Sequence, residues 1–481
     1  MSVRNILAGA AATAALALAA CGTQDGAEMA SDAAAANEAQ TASTAVAMNE
    51  AHAAGPHPGK AVYEAKCATC HDNPEATKAP SVDDLGRLTS GHIVNAMITG
   101  IMIPQAAGMT TEEIDNVANY LSHTEVSDDA WMEAMACPAD RKVPNLSAKA
   151  TVSTFGFDQQ NTREMSYADA GLTAEELGDM ELAWAIAFPQ AITMRSQAAV
   201  VGNSLFVPVG ESKNRLFAFD VSDTAQPCLQ WVYEGTRTLR SSAGYAVRDD
   251  GRKVVLVGDM GAFVHMIDAE TGEKIWESSI GLSDASVATG TPVLVGDKVY
   301  APSSQFEIMM AAQPTYECCK IHGGVVALDA MTGERVWEGH TMEDAKPIRD
   351  RGDGQMLWGP AGAPVWNSPA IDLERGQLYV GTGEANSENA HPNTDALLAF
   401  DLETGEINWS YQATANDVYN VGCGPNPRPE MLNCAKDTVY RDVDFGASTI
   451  LKTAPNGQDL VLAGQKSGTV WAMNPDNGEV V

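Results

Sequence analysis

Apolar and polar positions divide the chain into stretches of different texture. Ile6 to Ala20 is a continuous apolar run behind Arg4, too short for a mature transmembrane helix. Residues 22–58 are rich in Ala, Ser, Thr, Asn and Glu, show no apolar period, and predict a flexible tether. A short helix is predicted to carry Val62, Tyr63 and the residues through His71. Further on, Thr110-Thr111-Glu112-Glu113 is a capping-box start. Ile114, Val117, Ala118 and Leu121 then share one helical face. From about residue 150 the texture changes to short β-rich runs between glycine turns.

A repeat is visible in that last region. The segment Val264 to Trp276, VHMIDAETGEKIW, recurs as VVALDAMTGERVW ending at Trp337 and as LLAFDLETGEINW ending at Trp409. A looser copy, LFAFDVSDTAQPCLQW, ends at Trp231, and Leu182-Ala183-Trp184 reads as the end of an earlier one. Each copy predicts a strand, a tight Asp-x-x-Thr-Gly turn and a second strand, with the Trp locking blade to blade. This pattern is the signature of a β-propeller. Asp268, Asp329, Asp401, Trp276, Trp337 and Trp409 recur with the repeat and are read as structural, whereas Trp366 stands outside its register. The last copy, VWAMNPDNGEVV, stops at Val481 where the others reach a Trp. The chain is therefore expected to lack its final blades and to leave an open edge.

With 481 residues, more than one folded unit is expected. The formal net charge of −33 excludes a nucleic-acid binder, which needs Lys and Arg, and suits an exported protein whose redox partner is basic. Leu18-Ala19-Ala20-Cys21 resembles a bacterial lipobox, in which the Cys is lipidated. Gly22 behind it does not match an inner-membrane retention signal. The expected location is the periplasm of a Gram-negative bacterium, anchored to the outer membrane through Cys21. An ordinary signal peptide with an incidental Cys is the alternative.

Cys67-Ala68-Thr69-Cys70-His71 carries the most specific chemistry. Two thiols at this spacing can add to the two vinyl groups of one haem, which places the following His beneath the iron. A lone C-x-x-C would not separate haem from zinc or thiol-redox sites; the adjacent His does. Met102, two residues before Pro104, is the expected sixth ligand, with Met109 read as core filler and His92 as a minor alternative. The other reading of the motif is a surface disulfide beside an idle His.

The repeats resemble the tryptophan-docking blades of PQQ-dependent quinohaemoprotein alcohol dehydrogenases. With the haem motif in front, the order looks most like the cytochrome-containing polyvinyl-alcohol dehydrogenase group. The resemblance covers about residues 150–481. It implies an all-β quinoprotein-type propeller, of about eight blades when complete, behind a small all-α cytochrome c domain. The expected division is a lipoprotein-type signal peptide at 1–21, linker 22–58, cytochrome c domain 59–125, connector 126–149 and PQQ-binding propeller 150–481.

Position by position, the resemblance implies a site. Thr289 and Ser303 fall on PQQ contacts and Glu307 on a calcium ligand. Trp366 falls on the aromatic floor beneath the quinone, and Glu384 on a second calcium ligand where the family commonly has Asn. Asp444 falls on the catalytic base, which also faces calcium, and Lys466 on the cation beside the reactive quinone carbonyl. Arg240 is a plausible carboxylate partner of PQQ. Many members place a vicinal Cys-Cys early in the propeller, where this chain has Arg240-Ser241-Ser242. Its own adjacent pair, Cys318-Cys319, lies in an insertion after Glu307 and either folds over the quinone as a lid or pairs elsewhere. Of the nine cysteines, Cys423 and Cys434 share a second insertion, and Cys137 and Cys228 are left over as a further possible pair. Without the resemblance, Glu307 reads as a solvated loop carboxylate and Asp444 as a turn Asp.

The expected function is oxidation of alcohols, secondary ones and polyvinyl alcohol among them, with PQQ, haem c and Ca2+ as cofactors and an external cytochrome c as acceptor. The competing expectation is a non-catalytic propeller lipoprotein that scaffolds outer-membrane assembly.

Overall fold

A computed structural model describes residues 57–481 apart from 78, 99–101, 107, 124–129, 189–190, 192–193, 211–213, 389–390, 424–430, 437 and 439. The signal segment, Cys21 and nearly all of the tether lie outside the described residues. The chain divides into two compact units, with the boundary in sequence between His123 and Thr124. Among the described residues no helix is long and apolar enough to cross a membrane.

The first unit is helical. Helix Pro58–Lys66 carries Val62 and Tyr63, and a separate single turn, Ala68–His71, carries most of the haem motif. Helix Thr111–Leu121 begins with the expected capping box: Thr110 Oγ1 accepts from Glu113 N at 3.2 Å, and Glu113 Oε2 accepts from Thr110 N at 2.8 Å. Its apolar face buries Val117, Ala118 and Leu121 against Tyr63, Leu85, Ile93 and Met97.

The second unit is a succession of antiparallel sheets. A five-stranded sheet built from residues 150–234 is followed by four strands over 244–279 and a five-stranded sheet over 286–340. Four strands over 370–412 and three over 450–473 complete the series. Four of these sheets run strand to strand in chain order, which is blade topology; in the sheet over 286–340, Ser286–Val287 and Val293–Val295 both pair with Lys298–Gln305. Leu182-Ala183-Trp184 is the exception to the repeat reading: it forms no strand, and Leu182 is exposed. No Asp-x-x-Thr-Gly turn stands there, and Ala150–Val152 and Ala199–Val201 pair instead in the first sheet.

The repeat residues hold these sheets together. Asp329 Oδ1 accepts from Met331 N and Thr332 N, closing the turn, and Asp268 and Asp401 do the same in their copies. That turn ends in a glycine with positive φ, 75° at Gly333. The preceding blade's Trp276 lies against it so closely that a Cβ there would be 2.9 Å from the ring. Trp276 Nε1 donates to Ala330 O of the same turn at 3.2 Å. Trp231 repeats the docking on Gly272, Trp337 on Gly405 and Trp409 on Gly478.

Candidate functional site

In the helical unit the redox chemistry is held in one turn. Cys67 is half-buried, Cys70 is exposed, and both are free thiols. His71 is buried, with Nδ1 2.8 Å from Pro80 O. A carbonyl can only accept, so Nδ1 carries the proton and Nε2 is left with the lone pair that binds iron. Met102 and Met109 are both half-buried beside Cys67 and Ala68 in one core, next to the fully packed Met97, a thioether the sequence reading passed over. His92 Nδ1 lies 3.0 Å from Thr89 Oγ1.

In the sheet unit a second site is assembled from four segments. Glu384 follows strand Gln377–Gly381. Asp442 and Asp444 precede strand Ile450–Thr453, and Lys466 sits in the turn after Asp459–Gly464. Carboxylate oxygens of Glu384, Asp442 and Asp444 lie within 4.8 Å of one another. Lys466 Nζ is 2.5 Å from Asp442 Oδ1 and 3.1 Å from Asp444 Oδ1. It also stands 5.4 Å from the centre of the Trp366 ring. Trp366 is fixed from below: its carbonyl accepts from Thr289 Oγ1 at 3.1 Å, and Asn367 Nδ2 ties to Gly381 O and Phe445 O, each at 2.8 Å. Gly446 lets the ring approach, since a Cβ there would be 2.6 Å from its Cη2.

The electrostatics follow from crowding carboxylates out of water. Burial pushes Glu384 well above the usual carboxylate range, and the Asp444 charge adds to the push. Burial also raises Asp444, but hydrogen bonds from Glu384 and Asp442 and the Lys466 cation outweigh it and hold Asp444 below its ordinary value. Asp442 is pushed up to about 6, chiefly by burial and then by Asp444. Lys466 is raised, because its two carboxylate partners outweigh its burial. Asp395, fully buried behind this cluster with neither oxygen partnered, is pushed up to about 9 by burial and then by Asp417, Asp444 and Asp442. Without a cation, a proton on Glu384 facing Asp444 takes the cation's place.

Residues 155–438 match the family model of the glucose/ethanol/alcohol dehydrogenase β-propeller domain, and residues 54–121 match that of cbb3-type cytochrome c oxidase subunit III. The chain is 32% identical over 441 residues to a polyvinylalcohol dehydrogenase of a Pseudomonas species, covering 88% of this chain and 67% of that one. It is 30% identical to the polyvinylalcohol dehydrogenase of Sphingopyxis sp. strain 113P3, over 87% of this chain and 65% of that one. The chain thus spans about two thirds of the length of these relatives.

The chain belongs to the PQQ-dependent dehydrogenases.

The quinohemoprotein alcohol dehydrogenase of Comamonas testosteroni shares the fold, with a TM-score of 0.50 at 19% identity over 74% of this chain and 52% of that one. Membership brings PQQ and haem c as cofactors, typically with calcium. The donor set fits such a group. Three hard carboxylates converge, Glu384 Oε2 receives no donor from any neighbour, and Trp366 Nε1 and Ser303 Oγ are buried without partners.

Glu307 departs from the ligand role expected of it. It is fully buried, but its carboxylate accepts from Tyr316 Oη at 2.7 Å, from Lys320 N at 2.7 and 2.9 Å, and from Ile321 N at 2.8 Å. Its lone pairs are turned to the insertion, and it is not among the clustered carboxylates. Cys318 and Cys319 pair with each other within that insertion, fully buried, with Cys319 Sγ 3.4 Å from Asn386 O. Cys137–Cys228 and Cys423–Cys434 are also disulfides. Arg240 is half-buried, its N–H donating to Gly258 O at 2.8 Å; Ser241 and Ser242 beside it are buried. The sequence reading missed Asp442 as a member of the cluster, although the Asp442-Val-Asp444 spacing was in view. It missed Asp395 and Asn386 altogether, since neither is marked by a motif.

Proposed function

We propose that this dehydrogenase oxidises secondary alcohols, including the hydroxyls of polyvinyl alcohol, and delivers the electrons through its own haem to an external cytochrome c. The observation that carries the reading is the convergence of Glu384, Asp442, Asp444 and Lys466 beside Trp366. The names of the two polyvinylalcohol dehydrogenase relatives support the substrate class. PQQ, when bound, supplies the two-electron redox chemistry, with calcium as Lewis acid on its oxygens.

The chain's own residues do the rest. Trp366 would offer a flat face to orient the ring, and Thr289, Ser303 and Arg240 would be its polar contacts. Glu384, Asp442 and Asp444 would hold the calcium. Asp444, ionised, accepts the proton of the substrate hydroxyl at a carboxylate oxygen. Lys466 remains a cation and would supply positive charge beside the quinone ring. Cys67 and Cys70 would anchor the haem, and His71 and Met102 would supply its iron ligands. The haem-attachment motif and the lipobox-like segment both support export to the periplasm, and the lipobox-like Cys21 alone supports a lipid anchor at the outer membrane.

The test is a visible spectrum of the exported protein, supplied with calcium and PQQ, before and after a secondary alcohol or an oligomer of vinyl alcohol is added. The haem bands are expected to shift to the reduced form only when quinone and alcohol are both present. Haem that stays oxidised with every secondary alcohol tried sinks the proposal.

A further inference from the structure

Three insertions between blade strands, residues 307–322, the hairpin Lys346–Gly359 and the described residues of 414–441, border the segment that carries Glu384. They are bound to one another. Val421 N donates to Ile308 O at 3.1 Å, Asn433 Nδ2 to Ala311 O at 3.1 Å, and Arg349 Nη2 to Cys434 O at 3.2 Å. They converge on Asn386, which is fully buried two residues beyond Glu384. Asn386 N donates to Ala361 O at 2.9 Å, after the hairpin, and Asn386 O accepts from Asn420 Nδ2 at 3.1 Å.

The orientation of its amide is determined by its neighbours. Ile308 N donates to Gln305 Oε1 at 3.2 Å, so Gln305 must present its NH2 to Asn386 Oδ1. The Asn386 NH2 then faces Tyr419 O at 3.1 Å, an atom that can only accept, and Glu384 Oε1 at 3.4 Å. One oxygen of Glu384 is thereby anchored, and the other, Oε2, accepts from no neighbouring donor and lies on the side of the Asp444 carboxylate.

We propose that Asn386, packed where the three insertions converge, is a positioning residue that holds Glu384 with Oε2 presented to the metal and so sets the metal affinity of the site. This rests on the reading of Glu384, Asp442 and Asp444 as the metal site. Partners of this kind orient ligands throughout metalloproteins, and their loss costs about 10- to 100-fold in affinity.

The experiment titrates the full chain with terbium(III), an oxygen-seeking calcium substitute, and reads tryptophan-sensitised emission and its lifetime, with calcium as competitor. Glu384→Gln is the reference and should weaken binding. Asn386→Ala should weaken it by about 10- to 100-fold and shorten the emission lifetime, because water replaces the released carboxylate. Asn433→Ala, which cuts the same insertions apart without touching Asn386, should leave affinity unchanged. Near-UV circular dichroism checks the fold. If Asn386→Ala does not fold, Gln305→Met, which frees the amide to turn, should still weaken binding. Affinity within about twofold of wild type in the folded Asn386 or Gln305 variant, or an equal loss in Asn433→Ala, overturns the proposal. If Glu384→Gln itself leaves terbium affinity unchanged, the metal-site reading fails and takes this one with it.

Discussion

In the helical unit every group needed to attach haem comes from five consecutive residues, Cys67 to His71, and one backbone carbonyl, Pro80 O, fixes the imidazole. In the sheet unit Glu384, Asp442, Asp444, Lys466 and Trp366 come from segments up to 100 residues apart, counting from Trp366 to Lys466. The first site depends on a single turn being formed. The second depends on several blades keeping their mutual register. Damage should therefore be local and complete in the first case, and graded in the second.

The largest effect that tests this contrast is Cys67→Ser with Cys70→Ser. Covalent haem should vanish, as read by denatured haem-stain or pyridine haemochrome spectra, while thermal melting of the sheet unit is unchanged. Asp444→Asn comes next. It keeps the shape of the side chain but removes the proton acceptor, so alcohol-dependent turnover should fall by about 10²- to 10⁴-fold. Haem content in that variant should equal wild type. Trp276→Ala should destabilise the propeller by about 3–5 kcal/mol, seen in its denaturation midpoint, because it empties the docking surface on Gly333.

A smaller effect concerns Asp395. Its carboxyl is pushed up to about 9 in the folded, metal-free protein, against an ordinary value near 3.8. Asp417, Asp444, Asp442 and Lys466 are the charged groups around it. The unfolded chain gives up this proton first, so stability should decline as pH rises from about 4 to about 9. Asp395→Asn should flatten that decline and melt above wild type at neutral pH in chelator. An unchanged pH profile would show that Asp395 is ionised or screened. The smallest effect is expected from Thr110→Ala, which removes one exposed cap of the helical unit and should cost about 1 kcal/mol, checked as a modest drop in its melting temperature.

What the sequence made legible follows the same contrast. The blades were readable because Asp, Thr-Gly and Trp act within one hairpin or on the next one, at fixed spacing. The capping box and the haem motif were readable for the same local reason. Leu182-Ala183-Trp184 misled because a Trp alone was taken for the repeat without its turn. Glu307 shows the limit of reading by position: its place in the chain suited a metal, but the fold brings four hydrogen bonds from Tyr316, Lys320 and Ile321 to it. Asn386 and Asp395 were invisible because burial and neighbours, not residue type, give them their character.

The docking of each Trp on the following turn also has a direction. Every junction pairs an outgoing indole with an incoming glycine turn, and the chemistry is the same at Trp231–Gly272, Trp276–Gly333, Trp337–Gly405 and Trp409–Gly478. Such couplings are interchangeable. A hairpin that begins with the socket and ends with the plug can be duplicated, exchanged or spliced in as a unit, and each neighbour meets the surface it already fits. Selection can therefore vary loops such as 307–322 and 414–441 without renegotiating the joints that carry them.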